Sequence, residues 1–160
     1  MLGAGAASPP PAVPLAMSAG LLRLRGAAIA VPLLALLAAS AWLSPEPCGM
    51  ETHRQLHLPA CGMLARTGWP CPSCGMTTSM SAMAHGRIAL AWKAHPFGVV
   101  LFIAAAMLSV FALGELATGR DWIARLRPRL WWVIAAIVGM SAGWIVKLAT
   151  GMVDGSLPVR

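Results

Sequence analysis

Charge is scarce in this chain. Only 11% of its 160 residues are Asp, Glu, Lys or Arg, 58% are apolar, and the mean hydropathy is +0.73. A surface wetted over its whole area needs more charge, so an ordinary soluble globule is a poor fit. Acidic residues are rarest, five in all and on distant segments, which argues against a paired-carboxylate site. There is no glycine-rich phosphate loop, no His-Glu-x-x-His and no nucleophile elbow. The net charge of +7 does not point to nucleic acid, because no compact polar domain carries it.

What is there instead is apolar sequence in long runs. Residues 26–43, 97–117 and 130–150 are predominantly apolar, and about 20 such residues cross the hydrocarbon core as a helix. The first run is the shortest and therefore marginal. The fold class expected is an all-α integral membrane protein with three transmembrane helices, its partner being the lipid bilayer. Glu115 and Lys147 lie near the ends of the second and third runs. The expectation for both is snorkelling to the interface; a buried ion pair or proton relay is the alternative.

The basic residues set the orientation. Arg23 and Arg25 precede the first run, and Arg120, Arg125, Arg127 and Arg129 crowd the link between the second and third. By the positive-inside rule both regions stay in the cytoplasm, so a bacterial inner-membrane protein with a cytoplasmic N-terminus and an extracytoplasmic segment 44–96 is expected. Arg54, Arg66, Arg87 and Lys93 in that segment weaken the bias, though they are more dispersed. Trp42, Trp131, Trp132 and Trp144 sit where interfacial aromatic belts belong.

Residues 1–20, with Pro9, Pro10, Pro11 and Pro14 among Ala and Gly, are expected to be disordered, leaving 21–160 as a single membrane domain. Met17 opens a more ordinary membrane-protein start than Met1. A cleaved signal peptide ending at Ala39-Ser40-Ala41 is the other reading of the first run. Prolines at 45, 47, 59 and 70 mark 44–74 as an irregular loop. A helix is expected to begin at Pro72 or Ser73 and run to Ala94, about residues 75–94, amphipathic or re-entrant, with Gly86 as a weak point. Its apolar side would be Met76, Met80, Met83 and Ile88, and its polar side Thr77, Thr78, Ser81, His85 and Arg87.

Reactive side chains gather in one place. Cys48, Cys61, Cys71 and Cys74 are the only cysteines, and the last two form Cys71-Pro72-Ser73-Cys74-Gly75-Met76-Thr77. This motif, with Gly86-Arg87, Ala89, Ala91 and His95-Pro96 after it, resembles the DUF2752 family of small bacterial membrane proteins of unknown function. That family's pattern runs Gly-x-Pro-Cys-Pro-x-Cys-Gly-x-Thr-Arg, then a Gly, an Ala and Asn-Pro before a membrane span. Two positions depart from it: Thr78 stands in place of the arginine and His95 in place of the asparagine, so the chain either lacks that cation or supplies Arg87 instead. The resemblance implies a membrane location and a shared motif, and no particular activity.

The thiols admit several chemistries. In an oxidising exterior they pair as two structural disulfides, either with a 71–74 bridge or as 48–71 and 61–74, and the role is then structural or one of interaction with a membrane-protein partner. Alternatively, Cys71 and Cys74 are a redox pair at a helix N-terminus, exchanging with Cys48 and Cys61 as in membrane thiol oxidoreductases that use quinones. A zinc site would draw on the four cysteines with His53 or His57. His85 and His95 are candidates for proton transfer, and the ten methionines for copper delivery, although Met is more often a packing side chain. The structural reading comes first and leans away from an enzyme; no cofactor is predicted, zinc and quinone being the two the thiol chemistry would admit.

Overall fold

The computed structural model describes residues 17–126 and 130–157. Most of the N-terminal stretch expected to be disordered, two of the four link arginines and the last three residues lie outside the described residues. At the edge of that stretch, Ser18 caps α1 (Ala19–Trp42), its side chain accepting from the Leu21 N–H at 3.4 Å. Then follow α2 (Gly62–Thr67), α3 (Met76–Ala84), α4 (Ile88–Ala94), α5 (Pro96–Thr118) and α6 (Leu130–Val153), with short 3-10 turns at Thr52–Leu56 and Ile123–Leu126. No strand occurs among the described residues. Three helices, α1, α5 and α6, are long and apolar enough to cross a membrane. The chain is an all-α, multi-pass membrane protein.

α1 packs along α5, and glycine makes the approach close. A Cβ on Gly26 would lie 2.8 Å from both the Ala112 carbonyl oxygen and the Leu116 nitrogen. Small residues let membrane helices meet backbone to backbone, where dispersion replaces the absent hydrophobic drive. One residue earlier, Arg25 extends α1 beyond the apolar run and crosses to Glu115, Nε to Oε1 at 2.7 Å, while its other arm reaches Asp121. Glu115 is fully buried, so the snorkelling expected of it is replaced by a buried ion pair. The guanidinium lies within reach, and a bidentate pair costs less than an unpaired carboxylate at that depth.

α6 joins the rest through one stripe. Gly139, Gly143, Lys147 and Gly151 recur every fourth residue; Phe97 lies against Gly139, the His95 ring against Gly143, and Leu157 against Gly151. The start of α6, Leu130 to Val138, leaves large apolar side chains exposed, as a lipid-facing surface requires. Lys147 does not snorkel either. It is buried and turned inward.

The helix expected after the cysteine motif is present as α3, and it begins later, at Met76, because Gly75 takes a left-handed conformation (φ +87) that a continuous helix cannot contain. It stops at Gly86 (φ +69), and α4 resumes at Ile88. Its buried face mixes the two expected sides, taking Thr78 and Ser81 together with Ser79, Met80 and Ala82, while His85 and Arg87 are exposed. Ser79 Oγ donates to the His95 carbonyl at 3.0 Å, Ser81 Oγ to the Leu43 carbonyl, and Thr78 Oγ1 accepts from Thr52 Oγ1 at 2.9 Å. Ile88 and Trp92 are exposed instead. A hydroxyl with an internal partner is cheap to bury, so Thr78, Ser79 and Ser81 share the interior with Met80.

Candidate functional site

Three cysteines converge. The sulfurs of Cys61, Cys71 and Cys74 all lie within 4.8 Å of one another, the last two 3.3 Å apart. All four cysteines are free thiols, and Cys48 stands apart from the group, its Sγ donating to the Met50 carbonyl at 3.4 Å. The pairing of 48 with 71 is therefore not prepared by this geometry. The three sulfurs line a cleft of about 340 Å³ together with Glu51, His53, Ser73 and Thr77.

The local backbone explains the arrangement. Cys61 is the N-cap of α2, with its carbonyl accepting from Ala65 N at 2.9 Å. Residues 71–75 form two successive turns, Cys74 N to Cys71 O at 3.0 Å and Met76 N to Ser73 O at 3.1 Å. The first thiol of the motif is thus not at a helix N-terminus, because Gly75 intervenes as the N-cap of α3. Only glycine fits there: a Cβ would stand 2.5 Å from both the Ala94 carbonyl oxygen and Lys147 Nζ.

Three neighbours hold the motif by its carbonyls. Trp144 Nε1 donates to Pro70 O at 2.9 Å, His95 Nε2 to Pro72 O at 3.0 Å, and Lys147 Nζ to Cys74 O at 3.0 Å. Because a carbonyl only accepts, His95 Nε2 carries a proton, and Nδ1 is buried without a hydrogen-bond partner among the described residues. Burial pushes the His95 imidazolium below its ordinary range, with the Pro72 carbonyl opposing and the Lys147 charge reinforcing the shift.

The three thiols are electrostatically unequal. The Leu64 N–H, with lesser contributions from its sulfur neighbours, lowers Cys61 to about 7, whereas burial pushes Cys74 up to about 12. Cys71 is half-buried, its sulfur 3.3 Å from that of Cys74 and 3.4 Å from Ser73 Oγ. The set can therefore do thiol chemistry at neutral pH. It can also hold a metal: sulfurs each about 2.3 Å from a tetrahedral zinc stand roughly 3.8 Å apart, inside the observed spread.

Of the other candidates, His53 lines the cleft, its Nε2 3.1 Å from the Pro59 carbonyl oxygen, while His57 is exposed and outside it. His85 is spent on the Ser81 carbonyl at 2.9 Å. Gly86 forms the α3–α4 turn and Pro96 opens α5, both structural positions. Thr78, where the family pattern has arginine, is fully buried against Thr52, and Arg87 is exposed.

The model of a family described as protein of unknown function (DUF2752) matches residues 61–109. That segment is a DUF2752 region. It begins at the acidified Cys61, contains the whole three-thiol cluster and His95, and ends within α5. Cys48, α1 and α6 lie outside it, so two of the three groups that hold the motif, Trp144 and Lys147, come from beyond the DUF2752 region. No curated protein and no solved structure matches the chain. Trp144 and Lys147 escaped the reading of the sequence as part of the site, although the four-residue stripe Gly139, Gly143, Lys147, Gly151 is visible there.

Proposed function

We propose that this protein is a membrane-anchored thiol–disulfide exchange protein of the bacterial inner membrane, working at Cys61, Cys71 and Cys74 on the extracytoplasmic face. The observation that carries the reading is the odd number of converging thiols. Any one disulfide among three leaves a free thiol beside it, which is the arrangement exchange needs. The sidedness rests on the arginines: Arg23, Arg25, Arg120 and Arg125 gather at one end of the helices, tied by the Arg25–Asp121 pair, and the thiols lie at the other.

The chemistry closes on itself with a client protein dithiol as co-reactant. A client thiolate attacks Cys71 Sγ of a Cys71–Cys74 disulfide, the S–S bond breaks, and Cys74 leaves as thiolate. The second client thiol, losing its proton, attacks the client sulfur of the mixed disulfide; the client is oxidised and Cys71 and Cys74 are reduced. If the client has no second thiol, the Cys61 thiolate attacks Cys71 instead and expels it. Cys74 then attacks Cys71, restoring the starting disulfide and the Cys61 thiolate. The reverse sequence reduces a client.

Acid quenching of membranes followed by mass-shift alkylation tests this. Two of Cys61, Cys71 and Cys74 should interconvert between blocked and free as the redox buffer changes, and Cys61→Ser should accumulate mixed disulfides on Cys71. Three thiols that stay free in oxidised glutathione, accompanied by one equivalent of copurifying zinc, would replace this reading with the metal one, which the span of the same sulfurs supports. A permanently blocked, unexchangeable pair would return the cluster to a purely structural role.

A further inference from the structure

Lys147 is a buried ammonium in a membrane helix, and among the described residues no carboxylate pairs with it. Its partners are two carbonyls, Cys74 O at 3.0 Å and Gly49 O at 3.4 Å. A charged side chain inside a membrane helix is rare, pairs with an opposite charge or with backbone carbonyls, and marks a functional site. The residue that Lys147 holds is the one whose sulfur is deepest in the cluster. Cys74 is also the leaving group of the exchange, and a thiolate buried without a counter-charge leaves slowly.

We propose that Lys147 is the positioning residue of the thiol site, its ammonium serving as the counter-charge for the thiolate released at Cys74 when the Cys71–Cys74 disulfide is opened. This rests on the exchange reading above. Breaking that bond sends the electron pair to Cys74 Sγ, so the negative charge arises on the residue whose carbonyl Lys147 Nζ already holds at 3.0 Å, and a cation fixed there needs no reorganisation. The other groups facing the cluster do not supply that charge. Cys61 and Cys71 are themselves thiols, His95 donates Nε2–H to Pro72 O, Glu51 is an acid, His53 has its Nε2 against Pro59 O, and Lys93 is exposed and 3.7 Å from Asp154. Gly75 is what admits the ammonium so close, since any Cβ there would collide with Nζ.

The experiment uses the full chain in detergent, oxidised at Cys71–Cys74, with reduced glutathione as the attacking thiol. Lys147→Gln keeps a hydrogen-bond donor for Cys74 O and removes only the charge. Its reduction should be roughly tenfold slower than that of the unaltered protein, about the effect of one pK unit or more on the leaving thiol. Lys147→Arg should restore the rate to within roughly threefold. Trp144→Phe, which loosens the same loop without touching charge, should leave the pH midpoint of thiolate absorbance in the reduced protein unmoved, whereas Lys147→Gln should raise it. Equal effects of Lys147→Gln and Trp144→Phe on that midpoint would make Lys147 merely structural and overturn the proposal. If Lys147→Gln does not fold, Lys147→Arg decides in its place: reduction more than tenfold slower than in the unaltered protein, although the positive charge is kept, would overturn the proposal. Normal exchange with a midpoint indifferent to Lys147 refutes this inference alone, and absent exchange refutes the reading beneath it.

Discussion

Arg25 and Glu115, ninety positions apart, share two hydrogen bonds, Nε to Oε1 at 2.7 Å and Nη2 to Oε2 at 2.9 Å. Glu115 is fully buried, and the arginine side chain is 30% exposed. The pair locks the start of α1 to the end of α5, and Glu115 Oε2 also accepts from Ile123 N at 3.2 Å, tying in the link to α6.

Arg25→Met should therefore destabilise by about 3 kcal/mol, the low end for stranding a buried charge because the arginine is partly wetted. Arg25→Met with Glu115→Met should recover a large part of that loss. Thermal unfolding in detergent followed by circular dichroism measures both. A single variant no less stable than the double would contradict the pairing.

Gly26 is the next test. Gly26→Ala places a methyl 2.8 Å from backbone atoms of Ala112 and Leu116, and overpacking of this kind costs about 1–3 kcal/mol. Gly20→Ala, in the same helix with open space around it, should leave stability unchanged or raise it by up to about 1 kcal/mol. The same melting curves compare the two, and an equal response would deny the close crossing.

Alkylation of the reduced protein should be graded. With Cys61 lowered to about 7 and Cys74 pushed up to about 12, iodoacetamide at pH 7 should modify Cys61 at least roughly tenfold faster than Cys74. The Cys61 rate should rise through about pH 7 and level off above it. Peptide mass spectrometry after timed quenching reads each site, and preferential labelling of Cys74 would reverse the assignment.

His95 makes stability depend on pH. Its folded value lies below the ordinary 6.5, so between the two the unfolded chain binds a proton that the folded chain does not. Stability then rises with pH through that window and is lost as pH falls below about 6.5. His95→Asn has no titrating ring, and should flatten this part of the profile while its amide still reaches toward the Pro72 carbonyl. Denaturation midpoints between pH 5 and 8 test it; an unchanged slope would place the titration elsewhere.

Much of the fold was legible because hydropathy is a local property. The three membrane helices follow from run length, and the break near Gly86 from a residue that tolerates positive φ. α3 starts three or four residues later than its sequence suggests, since Pro72 and Ser73 suit a first turn equally well and only the packing of Gly75 against Ala94, Gly49 and Lys147 forces the chain to turn first. The burial of hydroxyls on α3 is hidden for a similar reason: Thr78 and Ser81 read as part of a polar side until their partners at Thr52 and Leu43 are known.

The sequence by itself determined that this is a multi-pass α-helical membrane protein with its reactive side chains confined to one loop, because length, hydropathy and the placing of cysteine require no knowledge of contacts. Only the tertiary structure decided that three of the four thiols meet, that Cys48 does not join them, and that Glu115 and Lys147 turn inward. Those outcomes depend on which distant groups arrive beside a sulfur or a charge, and the energy of burying either is set by its partners rather than by its neighbours in the chain.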